Sequence, residues 1–158
     1  NADIRSQLRD PDNLDFRPKK DSELIDNGAF IKGKEIPYLG KAPDIGPYEF
    51  GDVNYWIPGF QDKIASTPVP PNKSKTVKTD ADLMWLKAYK ADSSDIFFGG
   101  DFDSVKNASK NSLEYKGSQK NNIYFPGKLN PGKTYYWRID EVTKNRVQKG
   151  NVWSFKVK

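Results

Sequence analysis

Four groups of residues in this sequence have the types and spacing to do chemistry. Gly127-Lys128-Leu129-Asn130-Pro131-Gly132-Lys133-Thr134 fits the G-x-x-x-x-G-K-[ST] spacing with which phosphate loops wrap a nucleotide. Asp101, Asp103 and Asn107 offer oxygens for a calcium ion, and Asp140 with Glu141 offers two carboxyls for acid and base work. Phe97, Tyr136, Arg138 and Lys156, and separately Tyr55 and Trp56, are types that stack on sugar rings and hold anionic substituents. The chain has no Cys and no His. That removes thiol nucleophiles, thiolate metal sites and the commonest general base and metal ligand.

The elements that must position these groups decide among them. A phosphate loop has to be followed by a helix, whereas Thr134 to Val142 is β-branched and aromatic with period two and reads as a strand. Pro131 also removes a backbone donor from the loop. The segment therefore reads as a turn, and no nucleotide is expected to bind it. Adjacent residues on a strand point to opposite faces, so Asp140 and Glu141 cannot flank one bond. Calcium takes six or more oxygens, and the Asp101 cluster lacks spaced third and fourth acidic ligands. No catalytic residue, metal or cofactor is expected.

The chain has 158 residues, of which 35% are hydrophobic, 13% aromatic and 30% charged, enough to fold as one or two domains. No apolar run is long enough to span a membrane. The net charge of +5 hides a split. Through Phe60, eight Lys and Arg stand against eleven Asp and Glu, a net of −3; from Gln61 onward eighteen stand against ten, a net of +8. Pro58, Pro68, Pro70 and Pro71 lie near this break among Ser, Thr, Asn and Lys, a composition that favours extended backbone. Residues 61–75 therefore read as a linker between a first part, 1–60, and a second, 76–158. The chain opens in polar loop material without Met and is expected to be an excised or processed piece of something longer.

In the first part apolar residues come in bursts of two or three, punctuated by Gly, Pro and Asp, without helical period. That suits very short strands, as in solenoid coils that bury inward side chains against neighbouring coils. Asp26 and Asp44, each beside Ile, read as turn carboxylates accepting local backbone N–H bonds. Three stretches stand out: Asp15-Phe16-Arg17-Pro18, Ser22-Glu23-Leu24-Ile25-Asp26-Asn27-Gly28 and Gly40-Lys41-Ala42-Pro43-Asp44-Ile45-Gly46-Pro47-Tyr48-Glu49. They resemble the carboxyl-terminal end of secreted right-handed parallel β-helix proteins, many of them polysaccharide lyases or glycoside hydrolases. Glu23 and Pro47 stand where that family usually has Pro and Ala. Sixty residues supply about two coils, fewer than the three or so a solenoid needs, so this part is expected to pack on further coils.

In the second part strands alternate in character. Leu83 and Trp85, Ile96 and Phe98, Tyr135, Trp137 and Ile139, and Trp153, Phe155 and Val157 make four inward rows, the core of a small antiparallel sandwich. Tyr136, Arg138, Asp140 and Phe97 then face outward, with Ser154 and Lys156 beyond. Asp101 to Asn107 reads as a loop or one helical turn. Leu129 to Tyr135 has the layout of a tyrosine corner, whose hydroxyl bonds back to upstream backbone. With Ile96 to Val105, Pro126 to Val142 and Gly150 to Phe155, this part resembles the bacterial fibronectin type III-like domains attached to carbohydrate-active enzymes.

The expected fold class is all-β: terminal coils of a parallel β-helix plus a fibronectin type III-like β-sandwich. The resemblance implies a non-catalytic C-terminal portion of a secreted or cell-surface polysaccharide-degrading enzyme, capping the solenoid and acting as spacer or weak binder. The expected partners are the remaining β-helix and an anionic or sulfated polysaccharide, favoured by the basic half. Nucleic acid is not expected, because sixteen of those eighteen basic residues are Lys scattered without a recognition motif. Two other readings stand beside this one. The segment could contribute Arg5, Arg9, Arg17, Lys19 or Lys20 to a lyase or hydrolase site with upstream coils, or be a stand-alone glycan-binding module.

Overall fold

The computed structural model of this protein describes residues 3–33 and 36–158. The chain is mostly β with few helices, and it divides into two compact units, one ending at Val53 and the other starting at Asn54.

The first unit opens with a short helix, α1 (Ile4–Gln7), and a hairpin of β1 (Leu8–Asp10) and β2 (Asp15–Pro18). The two strands pair antiparallel through a 3-10 turn at Pro11–Asn13. Beyond Pro18 the described residues of this unit are turns and loops. Stacked parallel coils, expected from the sequence, do not form among its described residues. The physical reason lies in the bursts themselves: two or three apolar residues between Gly and Pro gain a ladder and a buried face only from neighbouring coils.

Carboxylates hold these loops. Asp26 Oδ1 accepts from the N–H groups of Lys41 (2.7 Å) and Ala42 (3.1 Å). Asp44, itself buried, accepts from Asp26 N–H (2.9 Å) and Phe50 N–H (2.6 Å). Glu49 accepts from Leu39 N–H and Asp44 N–H, each at 3.1 Å. Gly40 has φ +89°, a conformation that favours glycine, and a Cβ there would lie 2.3 Å from the Asp26 carboxylate and displace it. Asp26 and Asp44 thus accept backbone N–H bonds as expected, but the bonds are not local: their partners lie six to eighteen residues away.

The N–H donors of Ala42 first, then of Lys41, hold the Asp26 carboxyl below its ordinary value. A carboxyl with a lowered folded-state value adds stability that is complete above the unfolded value, about 3.9, and is lost as pH falls through the folded one. The amide resonances of Lys41 and Ala42 are therefore expected to hold steady from neutral pH to about 4 and to move only below it. Movement centred above pH 5 would mean that these amides are not bonded to Asp26.

The second unit is a two-sheet sandwich. One sheet has the order β3 (Ser66–Val69), β5 (Leu83–Leu86), β8 (Ile123–Tyr124). The other contains β4 (Ser74–Val77), β6 (Ser93–Gly99), β7 (Tyr115–Gln119), β9 (Thr134–Thr143), β10 (Arg146–Gln148) and β11 (Val152–Val157). Its order is β4-β11-β9-β6-β7, with β10 paired to β9. All pairings are antiparallel except β4 with β11. Between the sheets lies one apolar core that holds Leu83, Trp85, Ile96, Phe98, Trp137, Ile139, Trp153, Phe155 and Val157, with Tyr135 packed against it. These are the residues of the four inward rows. Trp137 meets Trp85 and Trp153 edge to face, at ring separations of 6.4 and 4.7 Å.

The stretch 61–75 is not a free linker, which corrects the reading of its composition. It contains β3, pairs with β5 through Val69 opposite Met84, and ends in the first residues of β4. Proline is tolerated because β3 is an edge strand, where a missing N–H breaks no internal ladder.

Candidate functional site

The residues expected to form a sugar platform lie on β6, β9 and β11 of the large sheet. Strand β9 does turn Trp137 and Ile139 inward and Arg138 to the other face, where Arg138 pairs across with Phe97 of β6. That face is covered, however. A six-residue helix, α2 (Phe102–Asn107), returns over it, with Val105 fully buried and Phe102 edge-on to Tyr136 at 5.8 Å. Asp101 starts this helix as its N-cap, its side chain accepting from Ser104 N–H at 2.8 Å. That bond is the largest cause of its lowered pKa. Asp101 is thus engaged in capping, and among the described residues no three acidic side chains gather to hold a metal.

Arg138 closes the other end of the helix. Its Nη1 donates to the carbonyls of Val105 and Lys106 (2.7 Å for the latter), and Nη2 to Ala108 O at 2.9 Å. Nε and Nη2 make a paired contact with Asp140 at 2.8 and 3.1 Å. All five guanidinium N–H donors are therefore placed. The Phe97 ring lies 4.1 Å below the guanidinium carbon. Asp140 also accepts from Gly150 N–H at 3.0 Å, and a Cβ on Gly150 would lie 2.1 Å from Ile139 O.

Phe97 and Arg138 are consequently 2% and 1% exposed, so neither can present itself to a sugar. Tyr136 is half-buried against Phe102, and Lys156 is exposed. The four do not form a binding row. Tyr55 and Trp56 also part company. Tyr55 is 3% exposed, its N–H and carbonyl both bonded to the Asn122 side chain at 2.8 and 2.7 Å, while Trp56 is 64% exposed.

Asp140 and Glu141 point to different partners, as adjacent strand residues should. Glu141 is fully enclosed; its carboxylate accepts from Ala88 N–H (3.1 Å) and the Ser94 hydroxyl (2.7 Å). Trp85 Nε1 joins the same network by donating to Ser94 Oγ at 3.3 Å. Burial pushes the Glu141 carboxyl up. A shifted carboxyl often marks a reactive site, but this one is closed off from solvent and bonded to the segments around it.

The phosphate-loop spacing is a turn. Gly132 has φ +74°, and Thr134 begins β9 rather than a helix. The Tyr135 hydroxyl accepts from Asn130 N–H at 3.1 Å, closing back on upstream backbone.

What sequence reasoning missed is an open groove in the second unit, of about 650 Å³. Its walls include Phe60, Tyr89 and the tip of the β9–β10 hairpin. No motif links these residues; the available signal was two aromatics in polar, turn-rich surroundings. Comparison with known protein families, curated proteins and solved structures finds no match to this chain. Among the described residues no helix is long and apolar enough to cross a membrane.

Proposed function

We propose that this chain is the non-catalytic C-terminal portion of a secreted polysaccharide-degrading β-helix protein. Its first unit caps the stack of coils, and the fibronectin type III-like sandwich behind it acts as spacer and weak binder of anionic polysaccharide. The observation that carries this reading is the inverted burial of the first unit. Its enclosed side chains include Asp10, Asn13, Asp15, Ser22 and Asp44, with Leu24 as the buried large apolar residue among those described. Its exposed ones include Phe30, Ile31, Ile36, Leu39, Ile45 and Phe50. A unit that shows this much apolar surface and holds its loops by carboxylates is built to complete its interior against other chain. The two-sheet sandwich with its tyrosine closing contact supports the second half of the reading. The surplus of eight positive charges from Gln61 onward supports an anionic polymer as ligand.

Hydrogen exchange on the chain by itself tests the capping role. Amides of the first unit are expected to exchange at least about 100-fold faster than those of β6 and β9, because local openings there expose little buried surface. Equal protection in the two units would overturn it. Incubation with uronate-containing and sulfated polysaccharides is expected to release no new chain ends, and release by this chain would favour a catalytic contribution instead.

A further inference from the structure

The groove in the second unit is assembled from three stretches that are distant in sequence. Phe60 and Lys63 form one wall, Tyr89 and Lys90 a second, and Arg146 with Gln148 on the β9–β10 hairpin a third. The rings of Phe60 and Tyr89 are 89% and 61% exposed. Two hydrogen bonds tie the first two walls together: Tyr89 N–H donates to Asp62 O at 2.9 Å, and the Gln61 side-chain Nε2 to Lys87 O at 3.2 Å. Thr143 Oγ1 donates to Arg146 O at 3.2 Å and steadies the hairpin tip. Lys63, Lys90 and Arg146 supply three positive charges against the single carboxylate of Asp62. Lys90 Nζ stands 5.1 Å from the centre of the Tyr89 ring. Its backbone has φ +59°, a left-handed conformation that Gly or Asn adopts with less strain.

We propose that this groove binds an anionic sugar unit of a polysaccharide, a uronate or sulfated ring. The ring face would stack on Phe60 and Tyr89, and its acid group would be held by Lys63, Lys90 and Arg146 through charge-assisted hydrogen bonds. The inference rests on the anionic-polysaccharide reading above and gives that reading a place. The volume falls within the range of small-ligand sites. Single-stranded nucleic acid fits less well, because it is held along a continuous basic track with successive stacking rings. Here two rings and an acidic residue share one short groove.

Titration of the full chain with a tetragalacturonate and with a sulfated tetrasaccharide tests the proposal. A neutral tetrasaccharide and an oligothymidylate serve as comparisons. At least one acidic probe is expected to bind about tenfold tighter than the neutral sugar, and its affinity is expected to collapse near 1 M salt, where screening is short. Phe60→Ala and Tyr89→Ala should each weaken binding by about two- to tenfold, with unchanged circular dichroism because both rings are exposed. Lys90→Gly removes the charge while relaxing the backbone, so affinity should fall while the melting temperature holds or rises. A purely structural role for Lys90 would leave affinity alone.

Failure has distinguishable forms. Absence of binding to both acidic probes would overturn the groove and the polysaccharide reading together. Binding that survives Phe60→Ala, Tyr89→Ala and Arg146→Glu unchanged would overturn the groove alone. Equal affinity for the neutral sugar, or tighter binding of the oligothymidylate, would overturn the assigned class of ligand.

Discussion

Arg138→Ala is expected to cost the sandwich about 3–5 kcal/mol, because it leaves a buried carboxylate without its cation. The variant strips Asp140 of a two-point partner, and orphans the carbonyls of Val105, Lys106 and Ala108 at the end of α2. A six-residue helix has too few internal bonds to persist without that closure. Release of α2 would then open Phe97 and Val105 to water, and both are buried now. Lysine would not substitute, since three donors on a point charge cannot replace five in a planar fork. The double variant Arg138→Ala, Asp140→Ala should lose less than the sum of the two single changes, because it removes the uncompensated charge as well. Urea unfolding followed by tryptophan fluorescence measures all three. A loss below about 1 kcal/mol for Arg138→Ala would mean that this face is solvated after all.

Glu141 separates loss of a hydrogen-bond acceptor from loss of a charge. Glu141→Ala leaves Ala88 N–H and the Ser94 hydroxyl without their acceptor and opens a cavity, at an expected cost of about 2–4 kcal/mol. Glu141→Gln keeps an oxygen for Ala88 and offers an N–H to Ser94 Oγ, so it should stay within about 1 kcal/mol of the parent at neutral pH. The two also differ in pH dependence. Burial raises the folded-state pKa of Glu141, so the folded chain binds more protons than the unfolded one between the ordinary value, about 4.3, and the raised one. Stability from this group is therefore greatest below about 4.3 and declines as pH rises through that window. Glutamine has no proton to lose, and its variant should show no such decline. Unfolding midpoints across pH 4 to about 8 provide the check. A Gln variant as unstable as the Ala variant would show that an uncharged acceptor does not suffice at this position.

The four inward rows were legible in the sequence because a strand alternates with period two, and Trp137, Ile139, Trp153 and Phe155 follow that period without interruption. The tyrosine closing contact was legible for a local reason, because Asn130 and Tyr135 are only five positions apart. The outer face was misread at Phe97 and Arg138. Alternation states that they share a side but says nothing of what lies over it, and α2 lies over it. Pro68 and Pro70 misled in a similar way, since composition does not distinguish an edge strand from a linker. That Asp26 and Asp44 would accept backbone N–H bonds was readable from their neighbours, but the expectation that those bonds are local was wrong, because the partners lie six to eighteen residues away.

By itself, then, the amino-acid sequence determined an all-β chain, the membership of the sandwich core, and the absence of any Cys- or His-based chemistry. These follow from composition and from periodicities that act over a few residues. Tertiary structure alone decided that Arg138 would be an internal clamp instead of a ligand for sugar. It also decided that Phe60 and Tyr89, twenty-nine positions apart, would line one groove. Both depend on which distant segments come to share space, and a local pattern holds no record of that, because the energy that selects it comes from burial and pairing of the whole unit.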